Sequence, residues 1–261
     1  MSMTPEHLAD LRTAKQILEH PAIAAKLTNL IGMPIEKGIA LLPEKWSQHI
    51  NDVTTKSLKI ALDAVLLTLG HNGQPPSDNM WHKIAATATG ALGGAFGLPA
   101  LAVELPVSTT IILRSIADIA RSEGEDLRSP EARLACLEVF ALGGKTPNDD
   151  ATETGYFGVR AALASAVTEA TKHLTERGLV TEGAPLLLRL IAAIASRFGI
   201  IVSQKSAAQA IPVIGAAGGA FINLAFIDHF QNMARGHFIV RRLEKIYTSE
   251  IVEMEYRNLH D

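Results

Sequence analysis

Three residues with the chemistry for acid–base or metal work stand at matching places in the chain. Glu104 lies 14 positions after Gly90, and His229 lies 14 after Gly215. Both glycines open the same motif, G-A-x-G-G-A-F, at residues 90–96 and 215–221, and Asp228 adjoins His229. If the two motifs are structurally equivalent, a carboxylate and an imidazole meet inside an apolar bundle. There they can bind a divalent metal or act as acid and base, with Asn223 as a supporting ligand. The competing reading is structural: Asp228 and His229 face water or hydrogen-bond along a helix surface, and Glu104 caps a helix that begins near Pro106. No H-E-x-x-H pattern accompanies them.

A second set suits anions. Arg235, Arg241, Arg242 and Lys245, with His237 between them, follow Phe226, Phe230 and Phe238. Cations beside an apolar face describe an interfacial helix that contacts lipid headgroups, each charge adding about 1 kcal/mol near an anionic membrane. The alternative is a solvated helix end whose arginines pair with Glu244 and nearby acids. Arg114, Asp118 and Arg121, at i, i+4 and i+7, read as a surface ion-pair ladder. Trp46 and Trp81 each head an apolar helix, as core residues or as interfacial anchors. The G-x-S-x-G, G-x-x-x-x-G-K-[ST] and G-x-G-x-x-G enzyme fingerprints are missing.

The elements that must position these residues are helices. After the small residues 215–220, Ile222, Phe226, Phe230, Met233 and His237 recur at helical spacing on one face, and Asp228, Asn232 and Arg235 fall on another. The glycines recur four apart, as helix-contact faces do, so the two segments are expected to cross small side on small side. Both lie in uncharged runs, 84–103 and 206–227, long enough to span a bilayer. Pro99 and Pro212 interrupt them and Gly and Ala add little transfer energy, which favours packing or membrane contact over spanning.

Punctuation fixes the remaining boundaries. Thr4-Pro5-Glu6 opens a helix toward Ile31, kinked at Pro21 and stopped by Gly32; after Pro34 a short turn leads to Pro43-Glu44, which opens a second, ended by Gly70. A turn-rich loop follows, and the first glycine segment leads to Leu105-Pro106, where the helix should break or kink beside Glu104 before continuing to Gly124. Ser129-Pro130-Glu131 starts a helix that Gly143-Gly144 ends. Residues 145–155 are the most polar stretch, a surface loop and the one plausible hinge. Further helices run from Phe157 to Arg177 and from Pro185 through Val202. The expected fold is all-α: one helical-bundle domain over 1–261 with two central Gly/Ala-rich helices, a pseudo-repeat if the motifs are equivalent. Helix 5–31 is the candidate for an appended arm.

Composition narrows the function. The 261 residues are 48% hydrophobic and 5% aromatic, and 24 Lys and Arg face 27 acids for a net charge of −3, so nothing advertises nucleic-acid binding. The single Cys136 excludes an intramolecular disulfide and every cysteine-rich metal site. The first residues lack an apolar run, so a cytoplasmic location is expected, peripheral at the inner face of the membrane if lipid is bound.

Residues 97–106 (G-L-P…E-L-P), the following helix with Arg114 and Ser115-Ile116-Ala117, and the C-terminal A-I-P-V-I-G-A-A-G-G-A-F-I-N…M-A-R-G-H-F-I-V-R-R-L-E resemble the EcsC protein family, from roughly Trp46 to Tyr247. The resemblance implies a mainly helical bacterial family, named from an operon that also encodes an ABC transporter, with membrane association suspected and no established activity. It supplies no catalytic residue. Together these features point to a helical module that binds membrane lipid or an apolar protein partner. The alternative is a metal-dependent hydrolase or other enzyme using Glu104, Asp228 and His229.

Overall fold

A computed structural model describes residues 3–20, 23–40, 42–43, 45–68, 98–144, 155–177, 184–210 and 215–259. Ten α-helices form there: α1 Pro5–Glu19, α2 Ile23–Ile31, α3 Ile35–Ala40, α4 Lys45–Thr68, α5 Leu98–Ser122, α6 Pro130–Glu138, α7 Tyr156–Arg177, α8 Pro185–Gln209, α9 Gly215–Tyr247 and α10 Ser249–Asn258. A 3-10 turn, Val139–Ala141, follows α6, and no strand occurs among the described residues.

The starts are set by side chains. Thr4 Oγ1 accepts from the His7 N–H at 3.3 Å with Pro5 in the first turn of α1, and Ser129 Oγ accepts from the Ala132 N–H at 3.1 Å with Pro130 opening α6. Gly32 and Gly143 take φ of +70° and +76° just past α2 and the 3-10 turn, a conformation that favours glycine.

Two expectations change. Of the break or kink expected at Pro106, the break does not occur: α5 is one helix through it. Proline removes one backbone bond, but Leu101, Leu105, Ile112, Leu113 and Ile116 are all buried, and packing of that face outweighs the lost bond. The segment after Gly32 is not a bare turn, since α3 forms there and buries Ile35.

The longest helix, α9, is the spine. It packs against α1, α2 and α5, while α4 lies on α5 and α8, and α7 on α8 and α6. Helices α5 and α9 run in the same direction, because Gln231 donates to Ser115 and, further along both, Arg242 donates to Glu123. Four fully buried rings, Phe140, Phe198, Phe226 and Phe230, join the 3-10 turn, α8 and α9 with centroids 5.0–5.5 Å apart at the closest pairs. Each contributes about 1.5–3 kcal/mol by burial.

The N-terminal helix is not an appendage. Leu11, Ala14 and Leu18 of α1 are buried, the Tyr247 hydroxyl of α9 meets His7 Nδ1 at 2.8 Å, and Asp10 accepts from Arg242 at 3.0 Å. Of the two glycine motifs, the second begins α9, but the first, residues 90–96, lies outside the described residues, as do Trp81 and the loop 145–154. The apolar run 206–227 is not one helix: it ends α8 and starts α9.

Candidate functional site

The structure gives Glu104, Asp228 and His229 three separate partners. Glu104 of α5 accepts from Lys205 Nζ of α8 at 2.6 Å and from the Gln209 amide at 3.4 Å. Lys205 is 1% exposed, and its ammonium sits 4.5 Å from the centroid of Phe226, so a buried cation is held by a carboxylate and a ring face together. Asp228 is half exposed and pairs with Lys26 of α2.

Register explains why the site does not assemble. Ser115 and Gln231 are 116 positions apart and Glu123 and Arg242 are 119 apart, whereas Glu104 and His229 differ by 125. Equivalence along the sequence is therefore not adjacency in space: Glu104 lies level with the start of α9, about 9–14 Å short of His229 at 1.5 Å per residue. Among the described residues no group of three or more His, Cys, Asp or Glu side chains could hold a metal ion.

His229 is 4% exposed and bonds to the Leu142 backbone. Burial lowers its pKa to about 4, more than the Leu142 bond raises it, and Lys26 lowers it further, so the ring is neutral at physiological pH. Its Nε2 has no hydrogen-bond partner. Gly143 makes room for it, since a Cβ there would stand 2.5 Å from His229 Cε1. Asn223 Oδ1 is also buried without a partner.

The basic set is redirected inward. Arg241 is 11% exposed and donates to Glu125 at 2.8 Å and to Glu131 at 3.1 Å; Lys245 reaches the other Glu125 oxygen at 2.9 Å. Arg242 bridges Glu123 and Asp10. Burial pushes the Glu125 carboxyl up, but its bonds to Arg241 and Lys245 more than offset this and hold it below its ordinary value. Glu244, the acid expected to neutralise these arginines, instead takes a two-pronged bond from Arg160 of α7. Arg235 alone of the four cations stays on its own helix, donating to Asn232 Oδ1 at 2.8 Å. His237 is fully buried with Nδ1 2.9 Å from the Tyr156 hydroxyl, and burial first, then Arg160 and Arg241, hold its pKa well below the usual value. Phe226, Phe230 and Phe238 are at most 1% exposed. The C-terminal half of α9 is thus an internal clasp with its aromatic face in the core.

What the described surface does offer lies at the other end of α9. Phe221 and Leu224, one turn apart, are 57% and 61% exposed, the highest values among its large apolar residues. Val103, 45% exposed, is at the same end of the parallel α5. These lie outside the contacts that the sequence predicts; the adjoining small-residue run is the signal that marks them.

Fold and surface together define an all-α protein with an ion-paired core and an apolar tip among the described residues. Residues 6–243 match the EcsC protein family, and the chain belongs to it. The match takes in α1 and α2, which the resemblance starting near Trp46 left out. No curated protein and no solved structure matches the chain.

Proposed function

We propose that this protein is a lipid-associating helical module that docks peripherally, at the cytoplasmic face of a membrane, through the tip carrying Phe221, Leu224 and Val103. The observation that carries the reading is the exposure of two large apolar side chains on one face of a helix whose Ile222, Phe226, Phe230, Met233 and Phe238 are buried. Insertion of such side chains into the headgroup boundary gains roughly 25 cal/mol per Å² removed from water. Arg241, Arg242 and Lys245 of α9 do not add to it, because they already hold Glu123, Glu125, Glu131 and Asp10. Binding is therefore expected to be apolar in character and only weakly salt-dependent.

α8, the one described helix long and apolar enough to cross a membrane, is read here as a core helix. It buries Leu190, Ile194, Phe198 and Ile201 and carries the buried Lys205. The test is vesicle flotation. The protein should float with neutral and with anionic vesicles in low and high salt, and Phe221→Ser with Leu224→Ser should abolish it while leaving the thermal melt in place. Absence of flotation with either lipid, or flotation undiminished in the double variant, refutes the reading.

A further inference from the structure

A cleft of about 250 Å³ opens between α1, α2 and α9. That is below the roughly 300–1,000 Å³ of sites for drug-sized ligands, so it suits a molecule of a few carbon atoms. Its lining divides by chemistry. Ile17, Ile23 and Met233 supply an apolar wall, Lys26, His20 and Asn232 supply polar groups, and no Asp or Glu is among its described lining residues. Lys26 carries three N–H donors, of which the half-exposed Asp228 takes one. An exposed pair of this kind is weakly held, so a second acceptor can share the ammonium or displace the Asp228 carboxylate. Arg235 donates to Asn232 Oδ1, so what Asn232 has left to offer is its amide N–H donors. Helix α2 begins at Ile23 with no acid in its first turn, and its dipole adds positive potential on the same wall.

A cation, an amide donor and an apolar wall match a ligand with one negative charge and a short hydrocarbon part. A dianionic phosphate would bring a second charge against a single lysine, which opposes its burial there. We propose that the cleft binds a small aliphatic carboxylate, its oxygens on Lys26 and Asn232 and its chain against Ile17, Ile23 and Met233. The site is independent of the membrane reading, since it shares no residue with the apolar tip.

The experiment titrates hexanoate into the full-length protein by isothermal calorimetry. One saturable site is expected, with acetate, which lacks the chain, and 1-hexanol, which lacks the charge, each binding about tenfold more weakly. Lys26→Met should weaken hexanoate by about tenfold or more, whereas Asp228→Asn, which frees the ammonium and removes a nearby negative charge, should tighten it about threefold. Both positions are half exposed, so the two variants should melt as the parent does. Phe221→Ser with Leu224→Ser should bind hexanoate as the parent does, which separates this site from the tip. Absence of saturable binding by the parent, acetate or hexanol bound as tightly as hexanoate, an affinity unchanged in a folded Lys26→Met or Asp228→Asn, or binding lost with the tip residues overturns the proposal.

Discussion

Gly236 is where α1 seats on the spine, and an alanine there tests that seating. A Cβ at Gly236 would stand 2.7 Å from Leu18 Cγ and 3.0 and 3.2 Å from its two methyl carbons. Leu18 is itself only 6% exposed. In an unhindered helix interior, Gly→Ala stabilises by about 1 kcal/mol; here the clash opposes it by about 1–3 kcal/mol of overpacking, so Gly236→Ala should be neutral to destabilising by about 2 kcal/mol. Leu18→Ala alone should cost about 2–5 kcal/mol through the cavity it leaves. Combined, the new methyl enters the vacated space, the clash disappears and the helix gain remains. The double variant should therefore be more stable than the sum of the singles predicts, by about 1–3 kcal/mol. Urea denaturation followed by circular dichroism on the four proteins measures this coupling. Additivity within about 0.5 kcal/mol, or a Gly236→Ala protein more stable than the parent by the full helix-propensity gain, would refute the packing of α1 against α9.

Three further outcomes follow from the buried charges. His229 is held neutral with its pKa near 4 against 6.5 for a free histidine, so the unfolded chain takes up protons first as pH falls; the contribution is intact above pH 6.5 and is lost between 6.5 and 4, by about 3 kcal/mol. Buried His237 shifts in the same direction, so denaturation midpoints that stay level between pH 7 and 4.5 would contradict both. Arg241→Met leaves the buried Glu125 with Lys245 alone and should cost about 1.5–3 kcal/mol, whereas Arg121→Ala, in the exposed pair with Asp118, should fall within about 0.5 kcal/mol; equal melting temperatures for the two would sink the distinction. The Cys136 thiol is fully buried and pushed up to about 12 by that burial, so a thiol reagent should label it in denaturant and leave it untouched in the native protein.

Helix identity was legible because the signals are local. Thr4-Pro5, Ser129-Pro130 and Pro185 each open a helix, and Gly32 and Gly143 each follow one. The buried face of α9, from Ile222 to His237, was legible from spacing alone, and all five of its residues are at most 1% exposed. What spacing does not encode is the register between helices. A 14-residue coincidence after two glycine motifs suggested a meeting of Glu104 with His229, but the pairing of Ser115 with Gln231 sets a different offset. The basic stripe failed for a related reason: its partners Asp10, Glu123, Glu125 and Glu131 are more than 100 residues away in the chain, and a residue's exposure depends on such partners rather than on its own charge. Arg133 is the same case, an arginine 6% exposed that donates to the carbonyls of Leu66, Leu127 and Arg128. Nothing in its neighbouring sequence marks it as interior.

The seat of α1 sets an order of events during synthesis. Thr4 and His7 bond to Tyr247, and Lys15 donates to the carbonyl of Leu259, partners 240–244 positions further along the chain, so α1 leaves the ribosome long before the surface on which it docks. Contacts of such long sequence separation form slowly, and until they do Leu11, Ala14 and Leu18 have nothing to cover them. Nascent chains halted before α9 should therefore engage holding chaperones through α1 and release them once α9 and α10 have been made.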